Sequence, residues 1–242
     1  VEVIDLTSNP GLNQLIIGLE DVIEMGGAVN PVITIEGNSG DKVTPVGDWS
    51  FTGNDANGYA QYVNGTARML INPAISVVGL NATGTATPSL LRGYGLPDTL
   101  TAGAGGDTLD GGMGGDTLQG STGNDTIVLD ANDTSVRGGA GTDSLQVKES
   151  NADLTAVSSR FAEFESVDLR GNDVNTLTLS PAAVAAVGTN NTLVISGDLG
   201  DRLVLKGTWA ADGSPVLQGG VAYQTYNSVP AGSIIKVATD IA

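Results

Sequence analysis

Short aliphatic segments separated by turn residues dominate this chain. Between Gly93 and Gln146 one aliphatic residue recurs every nine positions, without a gap over six rows. Because neighbouring residues of a strand point to opposite faces, a single inward aliphatic residue per row predicts a very short strand. The column consists of Leu100, Leu109, Leu118, Ile127, Val136 and Leu145.

Most rows carry an aspartate two positions before the aliphatic residue, and glycines precede that aspartate. Glycine permits the positive φ of a tight turn and leaves the backbone carbonyls unshielded. In the fifth row Thr134 stands at the aspartate position and Asp133 lies one place earlier. The aspartates are Asp98, Asp107, Asp116, Asp125 and Asp143, and the turn glycines include Gly103, Gly105, Gly112, Gly114, Gly123, Gly139 and Gly141.

Two such rows form one coil of a flattened roll, so rows two apart stack on the same side. The expected stacks are Asp98 over Asp116, Asp107 over Asp125, and Asp125 over Asp143. Carboxylates roughly 5 Å apart, the strand spacing, repel each other. A divalent cation removes this repulsion, and Ca²⁺ prefers carboxylate and carbonyl oxygens. A solvated linker is the alternative, but a linker has no interior for an unbroken aliphatic column.

The rows resemble the RTX nonapeptide, a calcium-binding parallel β-helix repeat. The resemblance implies an all-β parallel β-roll that binds about three or four Ca²⁺ ions through the five aspartates and the carbonyls of the turn glycines. Row one contains Pro97 in its turn and is expected to bind weakly. In row five, Thr134 stands at the aspartate position, so the calcium site that this row would share with Asp116 lacks one of its expected ligands.

The amino-acid composition excludes several classes of function. The 242 residues carry a formal charge of −17, which disfavours binding to nucleic acid or to anionic membranes. The chain contains no Cys and no His, which excludes zinc sites of these residues and Ser-His-Asp triads. No apolar run approaches the length of a membrane span, so direct membrane insertion is not expected. Because the chain opens on Val1 rather than Met, we expect a fragment of a longer protein.

The segments on either side of the roll are predicted to be two copies of one β-rich module, each with a short helix. Leu193-Val194-Ile195 matches Ile33-Thr34-Ile35, and Trp209 matches Trp49. The predicted division is residues 1–75 for copy 1, 76–92 for a polar connector, 93–150 for the roll and 151–242 for copy 2. The helices are expected at Leu19 to Met25, after the Ser180 cap, and at about Ala152 to Phe161.

Other polar and aromatic residues of the flanks have a structural interpretation. We expect the Trp residues and the pairs Tyr59/Tyr62 and Tyr223/Tyr226 to be core residues. Asp41 and Asp201 end matched turns, and Asp55 lies in an oxygen-rich turn; turn formation is favoured over cation binding at all three.

The second flank is also similar to a segment near the C-terminus of giant RTX adhesins exported by type I secretion, through Glu165 to Leu169 and Gly200 to Leu203. This resemblance implies an extracellular or bacterial cell-surface protein that folds when it meets calcium. We therefore expect a non-catalytic structural segment whose partners are calcium ions and neighbouring copies or modules. Two alternatives are a sugar- or peptide-binding adhesin tip and the C-terminal secretion region of an RTX hydrolase.

Overall fold

The computed structural model describes residues 2–8, 12–27, 29–171, 174–229 and 232–241. These residues form twenty-five short strands, three short α-helices and two 3-10 helices, joined by turns and loops. The chain divides into two compact units. Unit 1 comprises Val1–Asn81, Gly93–Thr99 and Gly112–Gly114, and unit 2 comprises Ala82–Arg92, Leu100–Gly111 and Gly115–Ala242.

Unit 1 holds two small sheets and one helix. One sheet has the order β1-β3-β7-β6-β5, in which β6 is antiparallel to both neighbours, and the other has the parallel order β2-β4-β8. The elements are β1 (Glu2–Asp5), β2 (Gln14–Gly18), α1 (Leu19–Gly26), β3 (Val32–Glu36), β4 (Lys42–Val46), β5 (Ser50–Asn54), β6 (Ala60–Asn64), β7 (Ala67–Ile71) and β8 (Ser76–Val77).

Alternating apolar residues build the core of unit 1. Ile33 and Ile35 of β3 and Met69 of β7 are fully buried, and Trp49 packs in the same cluster. Helix α1 begins where the Asp21 carboxylate accepts the Gly18 N–H (2.7 Å), which satisfies one free donor of the first turn. The prediction of a helix from Leu19 is therefore confirmed.

Unit 2 contains most of the roll and the second module. Its elements are β9 (Asn81–Thr83), β10 (Leu90–Arg92), β11 (Thr99–Thr101), β12 (Thr108–Asp110), β13 (Thr117–Gln119), β14 (Thr126–Val128), β15 (Ser135–Arg137), β16 (Ser144–Gln146), β17 (Asn151–Asp153), α2 (Leu154–Val157), β18 (Phe161–Ala162), β19 (Ser166–Asp168), β20 (Thr176–Leu179), α3 (Pro181–Val187), β21 (Thr192–Ser196), β22 (Arg202–Leu205), β23 (Trp209–Gln218), β24 (Val221–Ser228) and β25 (Ile234–Ala238), with Asn81 and Thr99 belonging to unit 1.

The strands of the roll alternate between two parallel sheets. One sheet runs β10-β12-β14-β16 and continues through β19, β21, β25, β24 and β23; the other has the order β18-β15-β13-β11-β9. Leu109 pairs with Ile127 and Ile127 with Leu145, so rows two apart stack. All six residues of the aliphatic column are fully buried. The predicted all-β fold with a parallel β-roll is confirmed.

The second module repeats the strand order of the first. The order β19-β21-β25-β24-β23 corresponds to β1-β3-β7-β6-β5, and β17-β20-β22 is a parallel sheet like β2-β4-β8. Helix α3 follows Ser180, whose side chain accepts the Ala183 N–H (3.2 Å), as predicted. Phe161 and Phe164 are both buried.

The stretch 76–92, predicted to be a polar connector, contains β8, β9 and β10, and Leu91 within it is buried and pairs with Leu109 of the roll. The expectation that the Trp residues and Tyr pairs lie in the core needs correction. Trp49 and Tyr62 are buried, whereas Trp209, Tyr59, Tyr223 and Tyr226 are only half-buried, and Trp209 begins the exposed hairpin strand β23. Within the described residues, no helix is long and apolar enough to cross a membrane.

Candidate calcium-binding roll

Aspartates of alternate rows form a ladder within unit 2. The Asp107 N–H donates to Oδ1 of Asp125 (2.7 Å), and the Asp125 N–H donates to Oδ1 of Asp143 (2.8 Å). All three residues are buried. Each carboxylate is therefore held in place by the backbone of the coil that precedes it, as the predicted stacking requires.

The second oxygen of two of these carboxylates lacks a donor. Oδ2 of Asp125 and Oδ2 of Asp143 are buried and accept no hydrogen bond from the described residues. Each faces a glycine five positions earlier, Gly120 or Gly138, where a Cβ would lie 2.9 Å from the oxygen. A buried carboxylate oxygen without a donor is costly, so the pair marks a place where a cation would be stabilising.

Asp107 and Asp98 have more complete hydrogen bonding. Oδ2 of Asp107 accepts the Gly103 N–H (2.8 Å), and its Oδ1 accepts the Ser89 N–H (2.7 Å). In unit 1, Asp98 accepts the N–H groups of Tyr94 (2.6 Å) and Leu80 (2.5 Å). Protein donors thus already serve both oxygens of these carboxylates.

Row five uses a different residue from the one its spacing indicates. The Asp116 N–H donates to Oδ1 of Asp133 (3.2 Å), while the Thr134 hydroxyl donates to the carbonyl of Asp116 (2.9 Å). Asp133 is buried, and its Oδ2 accepts no hydrogen bond from the described residues. Asp133 therefore takes the ladder position that Thr134 leaves without a carboxylate.

Glu165 extends the ladder past the last aspartate row. Its Oε2 accepts the Asp143 N–H (2.6 Å), and Val167, two residues later, pairs with Leu145. Sequence reasoning missed this residue because the interval from Asp143 to Glu165 is 22 rather than 18. The signal was present, since Glu165 precedes a buried aliphatic residue by the usual two positions.

The predicted turn glycines lie where one coil touches the next. A Cβ on Gly141 would overlap the carbonyl of Gly123, and a Cβ on Gly123 would overlap the carbonyl of Gly105. Gly103 and Gly139 meet the carbonyls of Thr85 and Ser121 in the same way, and in unit 1 Gly112 meets that of Tyr94, while Gly114 has φ +146°. The backbones of successive turns are consequently in direct contact, and the carbonyls of Thr85 and Ser121 also accept the N–H groups of Ala104 (3.2 Å) and Ala140 (2.9 Å).

Burial shifts the acidity of the ladder. The pKa of Asp143 is raised to about 6 by burial, with Asp125 and Glu165 adding negative charge nearby. The pKa of Asp133 is raised to about 8 by burial and by the charge of Asp116. Burial also raises the pKa of Asp107, but hydrogen bonds from Ser89 and Gly103 outweigh it and leave that pKa lowered. Metal-free carboxylates at the end of the roll thus resist ionisation.

The raised pKa values of Asp133 and Asp143 predict that protonation of these carboxylates can partly replace calcium in stabilising the roll. Asp133 and Asp143 have folded pKa values above their ordinary value of 3.8, so their contribution to stability is complete below about pH 4 and is lost as the pH rises through about 6 and about 8. In calcium-free buffer, the far-ultraviolet β signal should grow when the pH is lowered from 8 to 4.5. The Asp133→Asn/Asp143→Asn double variant should show more of this signal already at pH 8. A β signal that stays constant, or falls on acidification, would contradict the expectation.

Protein side chains hold the irregular corner of row five. The Arg160 guanidinium donates to the carbonyls of Asp133 (2.5 Å) and Ala131 (2.7 Å). The Glu149 carboxylate accepts the Ala131 N–H. This corner has no glycine between Leu129 and Val136. Charge-assisted hydrogen bonds therefore hold the backbone here, where glycine turns shape the other rows.

Arg160→Gln should loosen row five selectively. Loss of two charge-assisted hydrogen bonds is expected to cost about 1–3 kcal/mol at saturating calcium. Amide hydrogen exchange should accelerate at residues 131–134 and remain slow in row four. Arg92→Gln, a matched change at an exposed position of β10, should leave both rows unaltered. Equal exchange in the two variants would mean that the guanidinium contributes nothing to the corner.

At the candidate cation sites of the flanks, backbone N–H groups of the protein already donate hydrogen bonds to the carboxylates. Asp41 accepts the N–H groups of Asn38 (2.6 Å) and Asn13 (2.9 Å), which lower its pKa. Asp201 accepts those of Asp198 (2.7 Å) and Asn175 (2.9 Å). Asp55 likewise accepts backbone donors within its own turn. These hydrogen bonds support the interpretation of the three residues as turn formers.

The roll offers oxygen donors of the kind that Ca²⁺ prefers. No three acidic side chains converge on one point in the part of the chain that the structure describes. A complete shell of about 6–8 oxygens would therefore combine one or two carboxylates with the stacked carbonyls of the turns. The donor-less oxygens of Asp125, Asp133 and Asp143 fit such an ion.

A parallel β-roll with buried carboxylate ladders and carbonyl-lined glycine turns defines a calcium-binding repeat protein. The model of the RTX calcium-binding nonapeptide repeat, a family of four-copy arrays, matches residues 92–127 and 110–145. This part of the chain belongs to that family, and Ca²⁺ is its ligand. No curated protein matches the chain.

Proposed function

We propose that the chain is a non-catalytic, calcium-dependent structural segment of a secreted or cell-surface bacterial RTX protein, such as an adhesin, a surface-layer protein or a matrix filament. The observation that carries the proposal is the pair of buried oxygens, Oδ2 of Asp125 and Oδ2 of Asp143, that accept no hydrogen bond from the described residues. A stabilising cation is the simplest partner for them.

The proposed ligands come from both ladders. Asp133 joins them because its Oδ2, like those of Asp125 and Asp143, is buried and accepts no hydrogen bond from the described residues. When bound, Ca²⁺ would supply the positive charge that offsets carboxylate repulsion. The other proposed calcium ligands are the carboxylates of Asp98, Asp107, Asp116, Asp125 and Asp143. They are joined by the carbonyls of Gly103, Gly105, Gly112, Gly114, Gly123, Gly139 and Gly141.

This arrangement would act as a folding switch for export. At submicromolar calcium, carboxylate repulsion opposes folding of the roll and favours an extended chain that suits type I secretion. A site occupied at 1,000 times its Kd contributes about 4 kcal/mol to folding. Several sites filled outside the cell would then stabilise the roll by more than a typical domain requires.

The flanks would serve as the structural modules of this segment. In the proposed division, copy 1 covers residues 1–75, the roll 93–150 and copy 2 151–242, and 76–92 joins the first two. Backbone and Asx hydrogen bonds at Asp41 and Asp201 support a role for both flanks in packing rather than in catalysis. The expected partners are calcium ions and copies or modules of the same protein, outside the cell.

A calcium titration followed by circular dichroism tests the proposal. The β signal should rise with calcium and be lost in a chelator. Asp125→Ala and Asp116→Ala should each raise the calcium midpoint at least about tenfold, because a charged ligand worth more than 1.4 kcal/mol is removed.

Asp212→Ala is the matched control. Asp212 lies exposed in β23, where its carboxylate accepts only the Asn227 amide (3.0 Å) among the hydrogen bonds described, so the midpoint should not move. A wild-type signal that is complete without calcium would refute the switch.

A further inference from the structure

The roll ends against residues that the nonapeptide pattern does not describe. The family model matches the chain as far as residue 145, and the aspartate of the last matched row is Asp143. Asp143 is fully buried, and its Oδ2 accepts no hydrogen bond from the described residues. The next coil to stack on this row already belongs to copy 2, where Val167 pairs with Leu145.

The first turn of copy 2 repeats the geometry of the coil before it. A Cβ on Gly120 would meet both Oδ2 of Asp125 (2.9 Å) and the carbonyl of Gly138. A Cβ on Gly138 would in turn meet both Oδ2 of Asp143 (2.9 Å) and the carbonyl of Glu163. The Glu163 carbonyl is therefore placed relative to Asp143 as the Gly138 carbonyl is placed relative to Asp125.

Glu165 brings a carboxylate to the same turn. Its Oε2 accepts the Asp143 N–H (2.6 Å), as Oδ1 of Asp143 accepts the Asp125 N–H (2.8 Å). This bond uses only one of the two carboxylate oxygens of Glu165. The charged groups that act on the Asp143 carboxylate are Asp125, Glu163 and Glu165, and all of them are acidic. The junction thus gathers oxygen atoms and negative charge without a basic side chain to balance them.

The segment that carries these groups is anchored in the core of copy 2. Phe164 is fully buried, its N–H donates to the Val187 carbonyl at the end of α3 (3.1 Å), and its carbonyl accepts the Thr189 N–H (2.9 Å). The Glu165 carbonyl accepts the Val194 N–H of β21 (2.9 Å). Repulsion or attraction at the junction therefore acts directly on the packing of α3 and β21.

We propose that the last calcium ion of the roll is shared with copy 2, with the Glu165 carboxylate and the Glu163 carbonyl joining Asp143 as its ligands. Mixed carboxylate and carbonyl oxygens are the donors that Ca²⁺ prefers. The proposal rests on the calcium-dependent folding proposed above and extends it beyond the repeat. Without the ion, like charges on Asp143 and Glu165 oppose the seating of Phe164, so α3 and β21 also depend on calcium.

Equilibrium dialysis with Ca²⁺ alone as the probe tests the shared site. Glu165→Gln keeps an oxygen that can accept the Asp143 N–H but removes the charge. At the free calcium concentration that just saturates the wild type, this variant should bind about one ion fewer, because one site is weakened at least about tenfold. A variant that binds the wild-type number of ions would overturn the assignment.

Glu163→Gln is the matched control. It removes the same charge from an exposed side chain two residues earlier and keeps the backbone carbonyl that is the proposed ligand. It should bind as many ions as the wild type. Equal losses in the two variants would mean that net charge rather than ligation by Glu165 determines binding, and would also overturn the assignment.

Hydrogen exchange of the wild type along a calcium series tests the coupling without any variant. Amides of α3 and β21 should become protected at the same free calcium concentration as those of rows five and six. In Glu165→Gln, α3 and β21 should need at least about tenfold more calcium, while rows three and four respond as in the wild type.

The rows of the roll also separate the two proposals. Protection of α3 and β21 in a chelator, while the roll still requires calcium, would overturn the shared ion and leave the folding switch intact. Protection of the roll itself in a chelator would refute the switch, and the shared ion with it.

Discussion

Gly141→Ala should prevent the end of the roll from forming even at high calcium. The backbone at Gly141 has φ +150°, and a Cβ there would overlap the Gly123 carbonyl of the neighbouring coil. Coils could separate only by breaking the Gly123 to Ala140 hydrogen bond (3.0 Å), so the cost should be about 3 kcal/mol or more. Denaturant unfolding at saturating calcium, combined with hydrogen exchange of rows four to six, measures this loss.

Gly171→Ala provides the comparison. A Cβ at Gly171 would meet nothing within 4 Å, and the residue lies in an exposed bend. Its unfolding free energy should stay close to that of the wild type. If the two alanine variants proved equally stable, close contact of the stacked turns could not be what limits row spacing.

Ile127→Ala should produce the second large effect. Ile127 is fully buried between Leu109 and Leu145, so truncation leaves a cavity in the centre of the aliphatic column. Similar truncations cost about 2–5 kcal/mol. The calcium midpoint should rise as well, because calcium binding and folding of the roll are linked.

Val204→Ala serves as the matched aliphatic control. Its side chain is 40% exposed on the outer face of β22, so its removal should change stability by less than about 0.5 kcal/mol. A calcium midpoint that shifts equally in both variants would show that the aliphatic column is not the core of the roll.

The regular rows could be predicted from sequence because period and chemistry agree there. One aliphatic residue and one aspartate per nine residues leave a single way to place Ile127 inside and Asp125 at the turn. Helix α3 was predictable for a similar reason, since Ser180 and Gly188 mark its two ends. The helix expected at about Ala152 to Phe161 is shorter, because Ala152 lies in β17 and Phe161 in β18, and only Leu154–Val157 is α-helical. Local signals of this kind do not depend on distant parts of the chain.

The features that depart from the regular row pattern were not predictable from sequence, because contacts between distant parts of the chain determine them. Asp133 joins the ladder through the Asp116 N–H, and Arg160 reaches its corner from 27 residues away. The strands in 76–92 are two or three residues long and gain their order by pairing with β4 and with the roll rather than from local periodicity. Trp209 was expected in the core because an all-β module with few aromatic residues usually buries them, but it begins the exposed hairpin strand β23.

The pairing of every row with the row two places away restricts how such a molecule can change length. Insertion or deletion of nine residues would transfer all later rows to the opposite sheet and bring Val167 next to the wrong neighbour, instead of Leu145. Viable size variants of this segment should therefore differ by multiples of eighteen residues, each adding about 4.8 Å along the stack. Gene duplication in this region would be tolerated only in whole coils.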